Sequence, residues 1–137
     1  MSPQTKQIFV NIPVKNLEAS MEFFQTIGFS FDQRFTDENA ACMILGSGMY
    51  IMLLQEAFFQ TFTNKNVVDT SREAEAILAI SADSKEEVNE IVQKALEAGG
   101  RPSNEPMDGG FMYGWSFQDI DGHLWEVMYM DENAVWQ

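Results

Sequence analysis

The chain has 137 residues, of which 45% are hydrophobic and 21% are charged. This length fits one domain, or two very small modules that share a core, and leaves no room for a separate cofactor domain. The composition is typical of a folded, water-soluble protein and argues against disorder or low-complexity architecture. No apolar run approaches the roughly 20 residues that span a bilayer, and residues 1–10 lack a signal-peptide layout. We therefore expect no membrane partner and a cytoplasmic location.

The second feature of the composition is its acidity. Eight Lys and Arg residues face 21 Asp and Glu residues, which gives a formal net charge of −13. Binding a phosphate backbone requires clustered positive charge, so we expect no nucleic-acid partner. Residues 71–137 hold 14 acidic and 4 basic groups, against 7 and 4 in residues 1–70. Such a field attracts cationic ligands to the second half, although solubility alone also explains it.

Cys42 is the only cysteine in the chain. A single cysteine excludes an internal disulfide and a Cys-rich zinc site. Because it lies inside the apolar run of residues 40–45, we predict a small buried side chain rather than a nucleophile.

In chain order, residues 1–55 have the pattern of a β-α-β-β-β module. Asn16 is the predicted N-cap of the helix, and Gly28 is its predicted end. Phe29, Phe31 and Phe35 alternate with polar residues, which predicts a half-buried strand over residues 29–35. The predicted strands are 8–14, 29–35, 40–45 and 49–55, and the predicted helix is 17–27.

Residues 76–137 repeat this pattern. Ser84 and Glu87 are predicted to form a capping box, in which each side chain accepts a hydrogen bond from the other residue's backbone. Apolar residues then recur at helical spacing until Gly99 and Gly100 end the helix. The predicted strands are 76–82, 100–103, 111–118 and 123–130, and a turn over residues 119–122 precedes the last one.

The two modules can be superposed on sequence alone. Asn16 and Ser84 are 68 residues apart, and the glycines that end the helices are 71 apart. The last strands, residues 50–54 and 124–128, match at an offset of 74. An internal duplication is the simplest explanation. The connector, residues 56–75, is too long for a structureless loop, so we expect a short helix that packs over a mouth or an interface.

The last turn and strand carry a motif. Asp119-Ile120-Asp121-Gly122-His123-Leu124-Trp125-Glu126 reads D-x-D-G-x-x-x-E. With the duplicated module and the opening residues 10–24, it resembles the vicinal oxygen chelate superfamily, which contains glyoxalase I, bleomycin-resistance proteins and extradiol dioxygenases. The resemblance covers nearly the whole chain. It implies an α+β, glyoxalase-like fold in which tandem β-α-β-β-β modules form a curled mixed sheet with a cup-shaped site, built within one chain or between the chains of a homodimer.

The resemblance also implies four positions for metal ligands, on the first and last strands of each module. They correspond to Phe9, Met52, Ile77 and Glu126. Phe9 and Ile77 have no donor atom, and the thioether of Met52 prefers soft metals, so we predict no metal and no cofactor at these positions. A catalytic zinc, for comparison, needs about three protein ligands.

The same positions, with Met128, form the candidate ligand pocket. Met128 shares the strand face of Glu126 by period-two alternation. An apolar lining with one acid is typical of a small-molecule site. We expect Glu126 to neutralise a cationic ligand group or to act as the catalytic proton-transfer residue, although a solvated residue at a strand end fits the sequence equally well. On the preceding strand, either face is compatible with the pocket.

Two classes of function remain open. The favoured one is a non-metal binding or sequestration protein, similar to bleomycin-resistance proteins, that forms a homodimer and encloses a cationic or aromatic small molecule. The alternative is a lyase, isomerase or dioxygenase of the glyoxalase type, either metal-free with Glu126 as base or with a divalent metal at atypical ligands. Those ligands would come from Gln55, Glu56, His123 or Glu126. His123 and Glu126 are three residues apart, which in a strand places them on opposite faces and argues against a joint metal site.

Overall fold

The computed structural model describes residues 2–131. The chain divides into two compact units, residues 1–67 and 68–137, and the boundary lies inside the predicted connector. The fold class is α+β, as predicted, and the strands are divided between two mixed sheets, one in each unit. Within the described residues, no helix is both long enough and apolar enough to span a membrane.

The first unit contains a four-stranded sheet with one long helix packed on it. The elements are β1 (Ile8–Val14), α1 (Leu17–Ile27), β2 (Ser30–Asp32), β3 (Ala40–Gly46), β4 (Met49–Gln55) and α2 (Glu56–Phe59), which continues into a 3₁₀ turn (Gln60–Phe62). The strand order is β1-β4-β3-β2, with β1 parallel to β4 and the other pairs antiparallel. The helix-facing core contains Ile12, Leu17, Phe23, Phe24, Ile27, Ile51 and Leu53, all buried.

Local signals place α1 where the sequence predicts it. The Asn16 side chain accepts a hydrogen bond from the backbone N–H of Ala19 at 3.1 Å, which caps the first turn. Gly28 ends the helix at a φ of +125°, a conformation that residues with a Cβ rarely adopt. Cys42 is buried on β3, also as predicted.

The strand predicted over residues 29–35 is wrong in its second half. The strand ends at Asp32, and residues 33–35 form a 3₁₀ turn. The cause is local: the Asp32 carboxylate accepts hydrogen bonds from the backbone N–H and the guanidinium of Arg34, and these bonds stabilise a turn. Phe35 is consequently exposed rather than half-buried.

The second unit repeats the arrangement, with five strands and one long helix. The elements are β5 (Ile77–Ser81), α3 (Lys85–Glu97), β6 (Arg101–Pro102), β7 (Met107–Asp108), β8 (Met112–Gln118) and β9 (Leu124–Met130). The order is β5-β9-β8-β6, and β7 also pairs with β8. The helix packs on β8 and β9, where the buried residues are Val88, Val92, Ala95, Phe117, Trp125 and Val127.

Two details of this unit differ from the sequence prediction. Ser84 accepts a hydrogen bond from the N–H of Glu87, as expected, but the Glu87 carboxylate bonds to the N–H of Asp83 rather than to that of Ser84. The strand β7 lies in a stretch predicted as a loop, because two residues are too short to show an alternating pattern.

The turns before β4 and β9 have matching glycine geometry. Gly48 and Gly122, 74 residues apart, have φ values of +77° and +90°. A Cβ on Gly48 would lie 2.2 Å from the carbonyl oxygen of Lys6, and one on Gly122 would lie 2.3 Å from that of Thr70. In both units, a glycine in the turn before the last strand therefore lies against the segment that precedes the first strand.

Candidate functional site

A cavity of about 100 Å³ lies on the face of the second unit's sheet that is opposite α3. Its walls come from β7, β8, β9 and the loop before β7, and they include Glu105, Met107, Met112, Ser116, Glu126 and Met128. The surface is mostly thioether and methylene groups, with carboxylates from two residues.

Strand register explains why these side chains meet. Ser116 pairs with Glu126, and Gly114 pairs with both Met107 and Met128, so all five residues share one face. Gly114 has no side chain, and a Cβ there would lie 3.6 Å from Cγ of Met128. The absent side chain leaves the sheet face open beside Met128. The face of β8 that meets the pocket is thus the one that carries Gly114 and Ser116, while Phe117 belongs to the core.

Glu126 is the half-buried one of the cavity's two acidic residues, since Glu105 is exposed. Within residues 2–131, neither a hydrogen bond nor an ion pair engages it. Its neighbour Ser116 is occupied: Oγ accepts from the backbone N–H of Asn104 at 2.8 Å and donates to the Asn104 carbonyl at 3.4 Å. Glu126 is half-buried, so its charge is only partly screened by solvent and is available to a positively charged ligand group.

The structure distributes the five predicted pocket residues over both units. Glu126 and Met128 line the cavity together. Ile77 lies on the same sheet face, on β5, where it pairs with Leu124, and is 58% exposed. Phe9 and Met52 belong to the first unit, where they share a sheet face, and Phe9 stacks on Tyr50 with ring centroids 4.8 Å apart.

The four family ligand positions do not fit a divalent metal ion. Phe9 and Ile77 offer no donor atom, and Met52 offers a thioether, so Glu126 alone has the hard oxygen that such an ion prefers. Within the described part of the chain, no three His, Cys, Asp or Glu side chains are grouped for metal binding.

Two of the atypical ligands are engaged elsewhere. The Gln55 amide oxygen accepts the backbone N–H of Leu17 and so joins the end of β4 to the start of α1. His123 is buried, and its Nδ1 lies 3.2 Å from a carboxylate oxygen of Glu75. His123 therefore faces Glu75, whereas Glu126 faces the cavity.

The aspartate that begins the D-x-D-G motif shapes the turn before β9. Asp119 is 3% exposed. Its Oδ1 accepts backbone N–H groups of Asp121 and His123 at 2.9 and 3.0 Å, and its Oδ2 accepts the indole N–H of Trp125 at 3.0 Å. Burial raises the pKa of the Asp119 carboxyl, against the opposite effects of His123 and the Trp125 hydrogen bond. The motif thus holds the strand that presents Glu126 and Met128.

Sequence reasoning missed the loop side of this cavity. Asn104, Glu105 and Met107 lie in a Pro/Asp/Gly-rich stretch that reads as an ordinary loop. The sequence marks this part of the pocket only by a methionine and an acidic residue close to the aromatic-rich strand β8, and that pattern is too weak to predict a pocket.

Sequence reasoning also missed a cavity of about 380 Å³ in the first unit, lined by Asn11, Leu54, Phe59, Phe62 and Thr63. The predicted connector helix is present as α2 and forms part of its wall. The phenylalanines of the connector were the available signal.

Solved structures share this architecture. One is a hypothetical protein from S. aureus, with a TM-score of 0.78 and 24% identity over 93% of this chain and 95% of that one. Another is a glyoxalase-related enzyme from Fulvimarina pelagi, with a TM-score of 0.75 and 21% identity over 90% and 88%. A third is a glyoxalase/bleomycin resistance protein/dioxygenase family enzyme from Burkholderia phytofirmans, with a TM-score of 0.73 and 18% identity over 89% and 96%. At these identities, the similarities show the fold.

A family comparison covers most of the chain. No curated protein matches the sequence. Residues 6–127, however, match the profile of the Glyoxalase/Bleomycin resistance protein/Dioxygenase superfamily, and the match includes both modules and the D-x-D-G-x-x-x-E ending. The chain therefore belongs to the Glyoxalase/Bleomycin resistance protein/Dioxygenase superfamily.

Proposed function

We propose that this protein binds a small molecule without a divalent metal, and that the cavity of its second unit holds a compact cationic group of the ligand against Glu126. The observation that carries the proposal is a half-buried carboxylate with no partner among residues 2–131, inside a cavity walled by three methionines. The acidic balance of residues 71–137 supports it, because a negative field draws cations toward this unit.

The size of the cavity limits what enters it. Sites that enclose a whole drug-sized ligand measure roughly 300–1,000 Å³, and this cavity measures about 100 Å³. We infer that it takes one head group. The rest of the ligand would lie over the exposed apolar residues on the same sheet face, Ile77 and Met130.

The lining favours an alkylated ammonium over a primary one. A primary ammonium has three N–H donors to satisfy. Apart from the carboxylates of Glu126 and the exposed Glu105, the lining offers mainly thioether sulfur, a weak acceptor, since the Ser116 hydroxyl is already engaged. An alkylated ammonium needs the charge of Glu126 and apolar contact for its methyl groups, and flexible methionines provide that contact.

We also propose that the protein is a homodimer. Large apolar side chains outside the proposed ligand surface are exposed on both units, among them Ile8, Phe9, Met49, Phe111 and Ile120. Exposed apolar surface is typical of association sites, and Ile8 and Met49 lie side by side on neighbouring strands. The measured molecular mass in solution should be twice the chain mass of 15.6 kDa.

Thermal unfolding with two cationic probes tests the binding proposal. Tetramethylammonium chloride should raise the melting temperature above that in sodium chloride of equal ionic strength, because a ligand that binds only the native state stabilises it. Methylammonium chloride should raise it less. Glu126→Gln should weaken tetramethylammonium binding about fivefold, the effect of losing roughly 1 kcal/mol from a partly exposed ion pair.

Glu97→Gln is the matched control. Glu97 is an exposed carboxylate at the end of α3, on the other side of the same sheet, so its loss changes net charge equally without touching the cavity. If Glu97→Gln and Glu126→Gln weaken tetramethylammonium binding equally, net charge alone explains the effect and the proposed contact with Glu126 is wrong. The proposed function would be contradicted if the melting temperature in tetramethylammonium chloride equals that in sodium chloride.

A further inference from the structure

We propose a second binding site in the first unit, for a neutral aromatic molecule that bears a hydroxyl or amide group. It is the cavity of about 380 Å³ lined by Asn11, Leu54, Phe59, Phe62 and Thr63. This volume falls within the roughly 300–1,000 Å³ of small-molecule sites. The proposal depends on residues of the first unit alone and is independent of the function assigned to Glu126.

The fold of the connector creates this cavity. The helix α2 starts directly after β4 and contacts both β1 and β4, so its last residue and the following 3₁₀ turn bring Phe59 and Phe62 to the sheet. From the sheet come Asn11 of β1 and Leu54 of β4. Asn11 pairs with Met52, two residues from Leu54 on the same face of the neighbouring strand.

The aromatic wall is held in place by hydrogen bonds of its own segment. The Gln60 amide donates to the carbonyls of Thr63 and Lys65 at 3.0 and 2.8 Å, and the Thr61 hydroxyl donates to the carbonyl of Phe58 at 2.7 Å. Thr63 Oγ1 also accepts the N–H of Lys65 at 3.1 Å. A wall fixed before the ligand arrives reduces the ordering cost of binding.

The lining determines the ligand class. Phe62 is 69% exposed although it contacts Phe58 edge-on at 5.1 Å, so most of its apolar surface is available to a ligand ring. None of the five lining residues carries a carboxylate that could pair with a cationic ring. The net charge of −13 repels an anionic ring. The Asn11 amide supplies the polar contact, since within residues 2–131 its one hydrogen bond is the 3.5 Å contact with the Phe9 carbonyl.

Titration of the full chain with 2-naphthol at pH 7, followed by proton–nitrogen NMR and calorimetry, tests the proposal. The largest shifts should fall on the backbone amides of Asn11, Leu54 and residues 59–63. Phe62→Ala should raise the dissociation constant about fivefold, as expected for the loss of one aromatic pair. Asn11→Ala should raise it by a similar factor through the lost hydrogen bond.

Three controls test whether naphthol binds at this cavity and not elsewhere on the chain. Phe35→Ala removes another exposed ring, 59% exposed against 69% for Phe62, beyond β2 at the opposite edge of the same sheet. It should leave naphthol binding unchanged. Glu126→Gln should also leave it unchanged. The anion 2-naphthoate, which has the same rings, should bind at least tenfold more weakly. Shifts centred on other residues, unchanged affinity in both Phe62→Ala and Asn11→Ala, or equal binding of 2-naphthoate would each overturn the proposal.

Discussion

Replacing Asp119 with alanine tests whether the D-x-D-G motif serves the structure of β9. The substitution leaves three donors without their acceptor: the backbone N–H groups of Asp121 and His123 and the indole of Trp125. A buried donor left unsatisfied costs about 1–3 kcal/mol. Water entering the vacated space satisfies some of them, so we expect a loss of about 3–5 kcal/mol from a native margin of typically about 5–15 kcal/mol.

Urea unfolding followed by tryptophan fluorescence measures this loss. With a slope of about 2 kcal/mol per M, the midpoint should fall by about 1.5–2.5 M. Asp119→Asn should lose less free energy of unfolding than Asp119→Ala, because its amide oxygen still accepts hydrogen bonds from the two backbone N–H groups. Some loss remains, because its NH₂ group faces the indole N–H of Trp125, and both are donors. Glu73→Ala removes an exposed carboxylate of the same unit that lies outside any helix, and its free energy of unfolding should stay within about 0.5 kcal/mol of the wild type. A loss below about 1 kcal/mol in Asp119→Ala would refute the structural role of the motif.

Further predictions concern backbone strain, pH and thiol reactivity. Gly122→Ala should lower the melting temperature more than Gly110→Ala. Both glycines have positive φ, but a Cβ meets the Thr70 carbonyl only at Gly122. Equal decreases in melting temperature would contradict this contact. Burial raises the folded-state pKa of Asp119 above 3.8, so the difference in stability between wild type and Asp119→Ala should be largest below about pH 4 and should shrink as the pH rises through the folded pKa. Urea midpoints measured over a pH series check this sign. A difference that widens as the pH rises would contradict it. Burial also raises the pKa of the Cys42 thiol, so a disulfide reagent at pH 8 should react only after unfolding; rapid labelling of the native protein would contradict this.

Much of the fold was predictable because its signals are local. Asn16 and Gly28 mark the ends of α1 by their own backbone chemistry, and the buried run around Cys42 marks a core strand. The error at β2 has the opposite origin: the alternating phenylalanines fit a strand to residue 35, but the Asp32 carboxylate stabilises a turn. Alternation reports which face is apolar, and a single side chain with a backbone hydrogen bond can override it.

The site was less predictable because it depends on pairing between strands. Period-two alternation placed Met128 on the face of Glu126. It could not show that Gly114 pairs with both Met107 and Met128, since β7 and its register lie in a stretch with no pattern. The motif led to Glu126 through family resemblance, whereas the burial of Asp119 and its contact with Trp125 follow only from the folded turn.

NMR of isotope-labelled methionine methyl groups tests the proposed cation site most directly, because the chain has nine methionines and three of them line that site. On titration with tetramethylammonium, we expect shifts of the methyl signals of Met107, Met112 and Met128, while the exposed Met49 of the first unit stays constant. In Glu126→Gln, the same shifts should require about fivefold more ligand. Shifts at Met49 with none at the three cavity methionines would contradict cation binding beside Glu126.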